Sequence, residues 1–140
     1  MKKINSMEEL VRYTDRYMKT HQGLWELAHD GMVLANEQLR QCGIKSRELK
    51  SGDAALQIEY CDRTIHVRFE SEQHGGVLSG VIILELLRGN SVLPIEKYYF
   101  EKDGTIKGFV NHDDDAIYVH KNLRDVIMLA LAFDVLGHVN

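Results

Sequence analysis

At Lys50-Ser51-Gly52-Asp53 the spacing of apolar residues switches from about 3.6 to about 2, and that switch limits the folds open to this chain. Before it, Met7, Leu10, Val11, Tyr17 and Met18 recur at helical spacing and leave Glu8, Arg12, Asp15, Arg16 and Lys19 on the wet side. Ser6 and Glu9 have the spacing of a capping box, in which each side chain answers a backbone N–H at a helix start. A second stripe follows with Leu24, Leu27, Ala28, Leu34, Ala35, Leu39 and Cys42, and Gly43-Ile44 has the form of a terminating glycine with its apolar contact. Gly23 and Gly31 interrupt this region, which fits one bent helix or two, and a break near Gln22–Gly23 is the favoured reading.

After the switch, Leu56, Ile58 and Tyr60 alternate with Gln57 and Glu59, and Ile65, Val67 and Phe69 alternate with His66, Arg68 and Glu70. The turn between them falls at Cys61–Arg63, and the pair reads as a hairpin with one dry face and one wet face. Residues 77–87, Val-Leu-Ser-Gly-Val-Ile-Ile-Leu-Glu-Leu-Leu, are apolar at nearly every position. A doubly covered strand and a buried helix both fit such a run; its β-branched residues and the Gly89-Asn90 turn signal favour the strand. A three-residue turn at Lys102-Asp103-Gly104 gathers Tyr98, Phe100, Ile106 and Val110 on one face with Gly108, leaving Lys97, Tyr99, Lys107 and Phe109 on the other. Asn122 caps a last helix whose apolar residues, from Leu123 to Leu136, extend well past one stripe. The expected fold is a single α+β domain over 1–140: amino-terminal helices, an antiparallel β-meander of about five strands, and a carboxyl-terminal helix packed on the sheet.

Several classes of function are disfavoured. Hydrophobic residues at 44% beside 27% charged ones indicate a globular chain, and no apolar run approaches the roughly 18 residues of a membrane span. The expectation is a soluble, cytoplasmic protein with no membrane partner. Residues 1–50 carry nine Lys/Arg against seven Asp/Glu, and residues 51–140 carry eight against fourteen, with no basic block in either part. Nucleic acid is therefore not an expected partner. Cys42 and Cys61 form neither a CxxC pair nor a zinc spacing.

The candidates for chemistry are few. His112-Asp113-Asp114-Asp115 reads as a solvated turn, because crowded like charges favour exposure and its groups divide between two faces of an extended chain. No metal and no cofactor is assigned. Glu26 and His29 have the ExxH spacing of half a di-iron site, but the second half is missing. Lys97, Tyr99, Lys107 and Phe109 form the candidate partner surface, two rings flanked by two cations; a helix lying over the rings is the plainer alternative.

His74-Gly75-Gly76-Val77 resembles the mouth of the central helix in the hotdog-fold acyl-CoA thioesterases. The resemblance implies a helix from about residue 77, a backbone N–H that polarises the thioester carbonyl, and a carboxylate that activates water. The acid's place falls at Ile83, with Glu85 two residues later.

The strongest anomaly is hydrophobic. Leu78, Ile82, Leu84, Leu86, Leu93 and Ile95 on one side of the 77–95 hairpin, with the apolar last helix, exceed what one sheet face needs. A homodimer is expected, paired across a sheet face or across the last helix. The preferred function is a small acidic module that binds a protein partner or a small-molecule ligand. The alternative is a small acyl-thioester hydrolase centred on His74 and Glu85. A helix over 77–88 favours the enzyme, and a strand there favours the module.

Overall fold

Among the described residues of the computed structural model, one long helix precedes an antiparallel sheet whose six strands stand in sequence order. The structure describes residues 6–50, 54–60, 62–74, 76–104 and 106–109, with backbone alone for Ala54, Tyr60, His74 and 106–109. The acidic stretch at 112–115 and the expected terminal helix at 123–136 lie outside these residues. The elements are α1 (Met7–Gln41), β1 (Lys45–Glu48), β2 (Ala54–Tyr60), β3 (Arg63–His74), β4 (Val77–Arg88), β5 (Ser91–Phe100) and β6 (Ile106–Phe109). The class is α+β with an antiparallel meander. None of the described helices is long and apolar enough to cross a membrane.

The break favoured near Gln22–Gly23 is not present, and the amino-terminal region is one helix. Ser6 accepts the Glu9 backbone N–H at 3.1 Å and starts α1, which then runs unbroken through Gly23 for 35 residues. A single glycine costs a helix about 1 kcal/mol, too little to break one whose apolar stripe stays in phase on both sides. Termination follows the expected form. Ile44 N–H reaches the Leu39 carbonyl at 2.9 Å and Gly43 N–H that of Arg40 at 3.0 Å, with Gly43 at φ +81°.

Along its second half α1 seats Leu24, Ala28, Met32, Ala35 and Leu39 on one face of the sheet. That inner face supplies Leu56 and Ile58 from β2, Ile65 and Val67 from β3, Ile82, Leu84 and Leu86 from β4, and Tyr98 and Phe100 from β5. The expected alternation in the β2–β3 hairpin is present, with Leu56 opposite Val67 and Ile58 opposite Ile65. Ile82 is fully buried in this core, so the face it occupies is covered by α1 of the same chain and is not free to pair with a second copy.

Residues 77–88 form a strand, so the helix that the thioesterase resemblance implies at this place is not present. Both faces of β4 are buried at its centre: Val81 is 0% and Ile83 7% exposed, although both point away from the α1 core. Their cross-strand neighbours are Glu70 and Tyr99 for Val81, and Arg68 and Lys97 for Ile83.

Two irregularities decide which residues face inward. Between Leu84 and Glu85 the register with β5 shifts, so Leu86 faces Leu93 while Leu84 faces Glu96. This reconciles odd-numbered Leu93 with even-numbered Tyr98 and Phe100 on one face. Pro94 sits at the shift, outside the Tyr98–Phe100 segment that pairs with the described residues of β6. In the last hairpin Gly104 adopts φ +88° and its N–H reaches the Glu101 carbonyl at 2.9 Å. Phe100 faces Ile106, in the expected register. A second shift then sets Gly108 opposite Tyr99 and Phe109 opposite Tyr98.

Candidate functional site

The first half of α1 extends beyond its seat on the sheet. None of the described residues before Leu24 is buried; Leu10 and Tyr17 continue the seated stripe in phase, while Met7, Val11 and Met18 widen it to one side. Met7, Leu10, Val11, Tyr17 and Met18 are exposed along it, Val11 at 60% and Met18 at 62%. Beside this stripe, where the helix passes the tip of the β3–β4 hairpin, lies a cleft of about 400 Å³. Tyr13, Arg16, Tyr17 and Thr20 form the helical wall, Gln73, Gly76, Val77 and Leu78 the hairpin wall, and Lys102 after β5 also lines it. The volume lies within the range of small-molecule sites.

A hydrogen-bonded group anchors the inner end of the helical wall. His21 Nδ1 lies 2.7 Å from Ser71 Oγ, and the Tyr17 hydroxyl lies 3.3 Å from the same oxygen. Tyr17 and His21 stack within 8° of parallel, and His21 and Trp25 both meet Phe69, which in turn meets Phe100. The cleft wall is thereby tied to the core by a chain of rings. Sequence spacing gave no sign of this group, because Ser71 and His21 are 50 residues apart.

The outer face of the sheet carries an ion-pair network in place of an open polar surface. Arg68 bonds to both Glu85 and Glu70, and Lys97 reaches Glu72 at 3.1 Å while lying 5.6 Å from the centre of the Tyr99 ring. The bond to Glu85 raises the Arg68 pKa, and the bond to Glu72 raises that of Lys97. Lys97 and Tyr99 thus share the outer face, as expected. Phe109 takes a register position opposite buried Tyr98 instead of beside Tyr99, and Lys107 falls at the register shift. The four residues do not line up as one row.

His66 belongs to the same face. Its Nε2 lies 3.1 Å from Gln57 Oε1, and burial pushes its pKa below the usual value. As pH falls below about 6.5 the unfolded chain takes up this proton before the folded one. Stability from this group is complete above that pH and is lost as pH falls towards the folded pKa. Urea unfolding of His66→Gln at about pH 7.5 and pH 5.5 is expected to show a smaller fall in stability than the parent chain shows.

His29 pairs with Glu48 at 3.2 Å and packs on Trp25, while Glu26 accepts from Gln22, so the ExxH pair is divided between different partners. His74 takes its backbone place at the end of β3, opposite Val77. Comparison with protein-family models, with curated proteins and with solved structures gave no match.

Proposed function

We propose that this chain is a cytoplasmic protein-interaction module that works as a homodimer, joined through the first half of α1. The observation that carries the reading is the exposed apolar band of α1 from Met7 to Met18, whose Leu10 and Tyr17 extend the stripe seated on the sheet from Leu24 onward. Each large apolar side chain taken out of water contributes roughly 1.5–3 kcal/mol, so this surface favours a cover.

Charge favours a second copy as that cover. Glu8 and Glu9 stand at the start of the helix, and Arg16 and Lys19 stand about two turns later. An antiparallel two-fold pairing sets each acidic first turn against the basic turn of the other copy, and the same patch serves both. From Met7 to Met18 the stripe is only about 17 Å long at 1.5 Å per residue, so the expected dissociation constant is on the order of micromolar. The strand at 77–88 supports the module over the acyl-thioester hydrolase.

Light scattering across a dilution series tests the reading. The mass is expected to approach twice 16.1 kDa at high loading and to return to the single-chain value on dilution. The exposed-site variant Val11→Asp is expected to remain monomeric at every concentration, with unchanged circular dichroism. A parent chain that stays at single-chain mass throughout would refute the dimer.

A further inference from the structure

We infer that the cleft between α1 and the β3–β4 hairpin binds a small phosphate monoester with an apolar body. The argument starts from a local reversal of charge. The chain carries a net charge of −4, yet the residues lining this cleft include Arg16 and Lys102 and no carboxylate. Among the described residues neither cation has an acidic partner. Arg16 is instead held over the Tyr13 ring, its guanidinium carbon 5.7 Å from the ring centre, which limits the positions its donors can take.

The neutral groups point to the same ligand. Tyr17 and Thr20 bring hydroxyls to the wall, and Gln73 brings an amide. Tyr17 is oriented by Ser71, which His21 holds in turn. Two full positive charges with several hydrogen-bond donors suit a dianion with three free oxygens better than a carboxylate, which has one charge and two oxygens. Val77 and Leu78 line the opposite wall, where the ester's apolar group fits. Arg16 and Tyr17 also lie in the stretch of α1 assigned to the dimer, so the titration is run on the Val11→Asp variant as well as on the parent chain, which separates the two readings.

Calorimetric titration of the full chain with phenyl phosphate at low salt tests it, with inorganic phosphate and benzoate as companion probes. Phenyl phosphate is expected to bind one per chain and saturably, with each companion probe at least roughly tenfold weaker. Arg16→Gln and Lys102→Gln should each weaken it roughly tenfold. Arg12→Gln, on the wet side of the same helix, should leave it unchanged. No saturable binding at millimolar phenyl phosphate would overturn the inference. So would equal affinity for all three anions, or an equal loss in Arg12→Gln, since either result describes diffuse attraction without a site.

Discussion

Gly80→Val is expected to destabilise the protein by about 3 kcal/mol and to lower its melting temperature by roughly 10 °C. Gly80 stands on β4 between Ser71 of β3 and Phe100 of β5 in register. A Cβ built there would lie 2.7 Å from Phe100 Cε2 and closer still to Cε1 and Cζ. The ring occupies the space that a side chain at position 80 would need, in the manner of an aromatic residue covering a cross-strand glycine. Phe100 is fully buried, so its ring has no solvent to retreat into. It also touches Phe69, which meets His21 and Trp25, so displacing it disturbs the anchor of the cleft wall. Thermal and urea unfolding measure the loss, and adding Phe100→Leu to Gly80→Val should recover part of it. An unchanged midpoint for Gly80→Val would mean that the ring does not lie over the glycine in solution.

How much of this was readable beforehand depended on whether local chemistry or distant contact made the decision. Ser6 with Glu9, Gly43 with Ile44, and Lys102-Asp103-Gly104 each specify a few backbone angles through neighbours in sequence, and each takes its expected form. The alternation in β2 and β3 was equally plain, because one face is dry and one wet. The break at Gly23 was not found, since local propensity weighs less than a stripe kept in phase across it. β1 carried no usable signal. Its sequence Lys-Ser-Arg-Glu has no apolar alternation, and it is placed by pairing with β2 and by Ser46 Oγ donating to Asn36 Oδ1 at 2.5 Å. Bulges were hidden too, because one inserted residue reverses the parity on which face assignment rests. That is why Phe109 left the row expected for it. The Ser71–His21–Tyr17 group is the extreme case: three ordinary polar residues acquire a joint role only when helix and sheet meet.

Arg68→Met is expected to cost about 2–3 kcal/mol, more than exposed ion pairs contribute. Arg68 is 23% exposed and Glu85 14%, at the centre of the outer face. Arg68 Nε donates to Glu85 while Nη1 donates to Glu70 at 2.7 Å, so one guanidinium answers two carboxylates. Methionine keeps much of the aliphatic stem beside Ile83 but removes every donor. Glu85 then stays largely desolvated without a cation, with Glu70 as a like charge nearby. Glu85→Gln alone is expected to cost less, because Arg68 retains Glu70 as a partner and a neutral amide carries little desolvation penalty. The double variant Arg68→Met/Glu85→Gln should be more stable than Arg68→Met, giving a coupling of at least about 1 kcal/mol in a double-mutant cycle. If the single losses simply add, the pair is an exposed contact and the network does not stabilise this face. If Arg68→Met alone unfolds the chain, the cost of leaving Glu85 and Glu70 without their shared cation exceeds the expected figure.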